Sequence, residues 1–194
     1  MAGIGPVALA ECPEIYRAIV ETSAGVFEIA VHRAWSPLGA NRFFQLVQQD
    51  YYDDSRFYRV VTGKWAQFGI AGAPLMAQAW RSRTIPDDRR MQSNTRGFVA
   101  FANTGPGTRS TQVFINLGDN AAQNDREAGF APFGQVVMGM DVVDRLYAGY
   151  GEISGGGMRA GRQDALFAGG NRYLDANFPR LDRLIRLRNS PLSM

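Results

Sequence analysis

The sequence predicts a mainly β domain of about eight strands and two helices. Short apolar runs with partial alternation recur along the whole chain, and turn-forming residues separate them. The composition agrees: 22 glycines and 9 prolines supply turns, and 12 phenylalanines supply large apolar anchors. A chain of 194 residues with 45% hydrophobic content can fill one core, so a single domain is the starting assumption.

The elements follow in order. Residues 17–21 and 26–31 alternate apolar and polar side chains around Thr22-Ser23-Ala24-Gly25, a hairpin composition, and predict the first two strands. Ser36-Pro37 looks like an N-cap followed by proline at the first helical position, and Phe43, Phe44, Leu46 and Val47 form an apolar stripe, so a helix is predicted over 37–48. Phe57 to Val61 is a strand-like run interrupted at Thr62-Gly63 and resumed over 65–70, which puts Arg59 mid-strand. Residues 71–96 carry Pro74, Pro86, Asp87 and Asp88 without a sustained period and predict a long surface excursion. Strands over 97–102 and 112–116 flank the turn-rich Thr104-Gly105-Pro106-Gly107-Thr108. A strand over 133–137 precedes a helix over 141–147. The Gly-rich stretch 149–161 lacks the Gly-Lys-Ser/Thr ending of a phosphate-binding loop and follows a helix, so it is expected to be a flexible connection. Residues 184–188 form a closing strand able to cover an open sheet edge.

Several function classes are disfavoured. Cys12 and His32 are the only residues of their kinds, which excludes an intrachain disulfide and leaves no Cys/His zinc cage. No Gly-x-Ser-x-Gly elbow accompanies His32, so both residues are expected to be structural. The net charge of +3 comes almost wholly from arginine, since Lys64 is the only lysine. Arg180, Arg183, Arg186 and Arg188 concentrate basicity near the C-terminus, but no aromatic interleaving or nucleic-acid motif accompanies them, and a solvated face is expected. No run approaches the twenty or so apolar residues of a membrane span, so the expectation is a soluble protein without membrane or nucleic-acid partners. Ala8-Leu9-Ala10 has the pattern of a signal-peptidase site but lacks a basic n-region and a full apolar stretch before it. A trimmed export signal and a short cytoplasmic extension both remain open, with export slightly favoured.

Three stretches carry the chemistry: Phe57-Tyr58-Arg59-Val60-Val61 with Gln67-Phe68-Gly69, then Phe101 to Pro106, then Thr111-Gln112-Val113-Phe114-Ile115-Asn116. With Phe130 to Val137 and Gly139 to Val143, they are similar in order and spacing to the cyclophilin peptidyl-prolyl isomerases, bacterial-type members above all, from about Arg17 to Arg188. The resemblance implies a closed eight-stranded antiparallel barrel capped by two α-helices, over residues 17–188 between an extension (1–16) and a tail (189–194). It also implies an active groove on the outer wall, no metal or organic cofactor, and Xaa-Pro segments of polypeptides as substrates, with a role in assisting folding. A monomer is the default.

Arg59 matches the family's catalytic arginine and Gln67 the glutamine that supports it. Ala102, Asn103 and Gln112 match groove positions that anchor the peptide, and Phe114 matches the floor of the proline pocket. Taken singly, Arg59 would read as a surface arginine pairing with Asp53, Asp54 or another carboxylate, Phe114 as ordinary core, and Gln67 and Gln112 as exterior strand residues. Only their joint spacing reverses this. Lys64 stands where relatives carry a phenylalanine and Trp65 where they carry methionine. Ala122 falls near the groove tryptophan, and Phe130 falls where animal members carry a histidine. A lysine head in a dry pocket must snorkel outward or lower its pKa, so weak cyclosporin affinity is expected. A catalytically weak proline-peptide-binding or chaperone module with the same groove is the alternative.

Overall fold

A computed structural model of the chain describes residues 11–126 and 129–191. The small-residue site at 8–10 lies outside that range. The first hairpin pairs β1 (Ile15–Thr22) with β2 (Gly25–His32) through the predicted turn. Tyr16, Ala18 and Val20 of β1 and Phe27, Ile29 and Val31 of β2 all point to one side and are fully buried, as a period of two requires. The remaining strands are β3 (Ser55–Arg56), β4 (Arg59–Val61), β5 (Trp65–Phe68), β6 (Phe98–Phe101), β7 (Val113–Asn116), β8 (Gly134–Met138) and β9 (Arg183–Ser190).

They form one antiparallel sheet in the order β3-β9-β1-β2-β8-β6-β7-β5-β4. The sheet curls into a half-barrel, and the count is nine strands among the described residues rather than eight. The extra strand is β3, just before the predicted 57–61 run, of which only Arg59–Val61 is paired in a ladder. Ser55 and Arg56 pair with Leu184 and Arg183 at one edge, whereas Arg59, Val60 and Val61 pair with Gln67, Ala66 and Trp65 at the other. Phe57 and Tyr58 span the gap with both side chains fully buried. The chain itself therefore links the two sheet edges, and the sheet is a curled half-barrel with a seam between them.

Five α-helices, not two, are present among the described residues: α1 (Pro37–Gln48), α2 (Pro74–Arg81), α3 (Ala121–Asn124), α4 (Met140–Asp144) and α5 (Asp164–Asn177). α1 has the predicted bounds, but Ser36 makes no side-chain cap. The cap comes from Asp88, in the 71–96 excursion, whose carboxylate accepts from the Leu38 and Gly39 amides at 3.2 and 2.9 Å and from the Ser36 hydroxyl at 2.5 Å. Pro74, read from sequence as a breaker, occupies the first turn of α2, where a missing N–H costs nothing. α5 is interrupted at Gly170, whose φ of 54° and ψ of −144° are non-helical and whose missing Cβ lets the Gly72 carbonyl approach.

Inside the curl, Phe43, Phe68, Phe101, Phe133 and Tyr52 pack with ring centroids 5.0–5.5 Å apart. Burying each such ring is worth about 1.5–3 kcal/mol. Cys12 is buried and His32 stacks on Trp35 at 3.9 Å. No helix of the described residues is long and apolar enough to cross a membrane.

Candidate active site

Strand register builds the site. Arg59 on β4 lies opposite Gln67 on β5, Gln67 opposite Phe114 on β7, and Phe114 opposite Ala100 on β6. Directly opposed residues share a face, so these four form a row across the outer wall. Their neighbours Val60, Ala66, Val113 and Ile115 turn inward to the core. This separates Phe114 from Val113 and Ile115, which sequence could not do because all three are apolar. Trp65, Ala100, Ala102 and Phe114 form a second apolar cluster on the outer side, and Val61, Phe130 and Met158 pack against it. Phe130 meets Phe114 edge-on at 5.7 Å.

Above that cluster is a cleft of about 160 Å³. Seven of the ten expected site residues line it: Arg59, Trp65, Gln67, Ala102, Asn103, Phe114 and Phe130. Three do not. Lys64 is exposed beside the cleft with its ammonium 5.7 Å from the Trp65 ring, so its head is in water rather than in the wall. Ala122 is exposed on α3, and its neighbours Gln123 and Asn124 line the cleft instead. Gln112 is 2% exposed and lies behind the wall.

From there Gln112 organises the wall. Its carbonyl accepts from Gln67 Nε2 at 3.0 Å, from Gln163 Nε2 at 3.0 Å and, through a short contact, from the Tyr58 hydroxyl, while its own Nε2 donates to Gln163 at 2.8 Å. Gln67 Oε1 in turn accepts from Arg59 Nη1 at 2.8 Å. A buried amide relay thus runs from the start of α5 to the guanidinium. Burial holds the Tyr58 hydroxyl far above its ordinary pKa, so it stays a donor.

The carboxylate that pairs with Arg59 is Glu152, not Asp53 or Asp54. Asp53 pairs with Arg188 and Asp54 with Arg56. Arg59 Nε and Nη2 each donate to one Glu152 oxygen at 2.7 Å. The Trp65 ring covers one side of the guanidinium at 4.6 Å from Cζ. The Arg59 hydrogen bonds hold the Glu152 carboxyl below its ordinary pKa against the opposing effect of burial, helped by the charges of Arg59, Arg162 and Lys64. On the far rim, Asn103 Oδ1 accepts from Arg159 at 3.0 Å. Asn103 Nδ2 and Trp65 Nε1 are buried donors without a hydrogen-bond partner among the described residues.

The family model described as cyclophilin type peptidyl-prolyl cis-trans isomerase/CLD matches residues 17–158. This chain belongs to that family. A peptidyl-prolyl cis-trans isomerase of Acinetobacter baylyi is 32% identical over 130 residues, covering 66% of this chain and 69% of its own. Peptidyl-prolyl cis-trans isomerase A of Dickeya dadantii is 31% identical over 131 residues with the same two coverages. A cyclophilin type isomerase of Cryptosporidium parvum superposes with a TM-score of 0.63 at 15% identity, over 92% of this chain and 99% of its own. Its structure in the presence of the dipeptide Ala-Pro gives 0.61 at the same identity, over 90% and 98%.

Within this cyclophilin, sequence reasoning found the loop residues Ala102, Asn103 and Phe130 but missed those contributed by the 149–161 stretch and the start of α5. Glu152, Gly157, Met158 and Arg159 come from the 149–161 stretch, and Gln163 stands just before α5. Nothing local marks a single glutamate in a glycine-rich loop.

Proposed function

We propose that this cleft binds Xaa-Pro segments of other polypeptides and speeds their cis/trans isomerisation, with the curled sheet of residues 17–188 acting as the family's barrel. The observation that carries the reading is Arg59, held by Gln67 and lining one cleft with the apolar side chains of Trp65, Ala102, Phe114 and Phe130.

Amide resonance makes a barrier of about 18–20 kcal/mol, and no bond has to break for a proline amide to cross it. When the amide twists, the prolyl nitrogen pyramidalises and gains a lone pair. A guanidinium that donates to this nitrogen, and holds the preceding carbonyl, binds the twisted form better than either planar form. Phe114, Ala102, Trp65 and Phe130 supply the apolar seat for the pyrrolidine ring, Asn103 anchors the flanking backbone, and Gln67, backed by Gln112, keeps Arg59 in place. One charge-assisted hydrogen bond contributes about 1.5–3 kcal/mol, so an acceleration of a few thousandfold, about 5 kcal/mol, needs Arg59 together with positioning.

Exchange NMR on a proline tetrapeptide tests this. Cis/trans exchange should be faster with the protein than without it, and Arg59→Ala should lower kcat/KM about a hundredfold. Equal inertness of the native protein and Arg59→Ala would refute the reading.

A further inference from the structure

Segment 151–159 is held along the open edge of β4, so it does not behave as the flexible connection its glycines suggest. Val60 and Gly151 form an antiparallel bridge, the Ser154 hydroxyl donates to the Tyr58 carbonyl at 2.5 Å, and Gln163 Nε2 donates to the Gly156 carbonyl at 3.0 Å. Ser154, Gly155 and Gly156 are buried. Two groups of this pinned segment meet the Arg59 guanidinium. Glu152 takes Nε and Nη2, and the Gly157 backbone lies so close that a Cβ there would stand 3.0 Å from Nη1, 3.2 Å from Cζ and 3.4 Å from Nη2. Similar distances to three atoms place Gly157 over a face of the plane.

A guanidinium has five N–H donors. Glu152 engages two of them and Gln67 one, which leaves two, on Nη1 and Nη2. Arg59 still lines the open cleft. Glu152 therefore does not use up the arginine. It fixes the plane, with Gly157 and Trp65 against it, and leaves the donors of the Nη groups available.

We infer that Glu152 is a positioning residue for peptidyl-prolyl isomerisation, acting through Arg59, and that Gly157 is part of the same device because a Cβ there would crowd the guanidinium and shift it by a few tenths of an ångström. The inference rests on the Arg59 reading above. Glu152→Gln keeps the size but offers one acceptor oxygen where two donors arrive, and turns an NH2 group toward the other donor. Glu152→Asp keeps the charge and both acceptors on a shorter stem. Gly157→Ala leaves backbone conformation undisturbed, since φ is −73°, yet pushes the guanidinium from its face.

Kinetics of tetrapeptide isomerisation by the full chain and these variants, with thermal midpoints measured in parallel, decide the matter. Glu152→Gln and Gly157→Ala should each lower kcat about tenfold with KM little changed, because a displaced catalytic group costs turnover more than affinity. Glu152→Asp should recover part of the loss, and midpoints should stay near the native value. Native or raised kcat in Glu152→Gln overturns the inference, the raised value marking Glu152 as a competitor for Arg59. Loss explained by a matching fall in thermal midpoint in both variants also overturns it. If Arg59→Ala itself is as active as the native protein, the fault lies with the Arg59 reading instead.

Discussion

Two arginines in this protein are held by carboxylates that arrive from long excursions, and their surroundings make them different tools. Arg109 is fully buried. Its Nη2 donates to Asp88 at 3.1 Å and, through a short contact, to the Pro86 carbonyl, and its Nη1 reaches the Ser36 hydroxyl at 3.4 Å. Asp88 spends its remaining capacity on the first amides of α1. Arg59 keeps 16% of its side chain exposed, and its partner Glu152 keeps 44%. The same ion pair chemistry ties an excursion to a helix start where it is sealed, and presents donors to a substrate where one edge stays open. Burial of the whole group, not the identity of the pair, separates structure from chemistry.

The largest break in this contrast should come from Arg109→Ala. Removing one partner of a buried pair leaves the other charge uncompensated, which costs about 3–5 kcal/mol. Urea denaturation should report that loss, while the folded fraction keeps its native kcat/KM, since Arg109 does not line the cleft. Arg59→Ala should do the reverse. Half-exposed Glu152 can rehydrate, so the stability change should be no more than about 1 kcal/mol although activity collapses. If both variants lose stability equally, the contrast fails.

Asp88→Asn should give a smaller, pH-dependent effect. Burial pushes the Asp88 carboxyl up, but hydrogen bonds from Ser36, Gly39 and Leu38 and the Arg109 charge outweigh it, so its folded pKa lies below the ordinary value. A depressed carboxylate contributes its full stability above the ordinary carboxylate pKa and loses it as pH falls through the lower folded value. At neutral pH the variant should therefore be less stable by about 1–3 kcal/mol, the cost of under-satisfied buried donors. The gap to the native protein should narrow in acid below the ordinary carboxylate range. Parallel denaturation curves across that range check it, and a gap independent of pH would remove Asp88 from the account.

What the sequence made legible follows the same division between local and distant causes. Alternation and turn chemistry located the strands to within a few residues, because a strand's inward and outward faces are written in neighbouring positions. Arg59, Gln67 and Phe114 were found from their joint spacing and the family resemblance, and the register then set them on one face. The crossing between β3 and β4 was hidden, since Phe57 and Tyr58 are as apolar as strand residues but serve to cross the seam. α2 was hidden because a proline that starts a helix resembles one that ends it, and α5 because Gly169-Gly170 interrupts the period. Ser36 marked the start of α1 correctly, but its cap comes from Asp88, more than fifty positions on by chain order. Glu152 and Gly157 reach the site only through pairing along β4, a contact with no local signature.

The smallest expected effect concerns Lys64, where the sequence-based expectation and the geometry part most clearly. From sequence, a lysine in the proline pocket should weaken the wall, and a large gain in rate on Lys64→Phe would mark a decayed enzyme used for binding. In the structure the backbone of Lys64 is what matters. Its carbonyl accepts from the Leu117 amide at 2.8 Å and from Asn120 Nδ2 at 2.7 Å, tying down the segment that leads into α3 and so to Gln123 and Asn124. Phenylalanine would keep both bonds. The side chain stands outside the cleft, and its exposed contact with the Trp65 ring is worth about 0.5–1 kcal/mol at most. Lys64→Phe should accordingly change kcat/KM by no more than about fivefold, the ceiling that this contact allows. A gain of well over tenfold would mean that residue 64 turns into the cleft during turnover, and that the wall built by Trp65, Phe114 and Phe130 is incomplete without it.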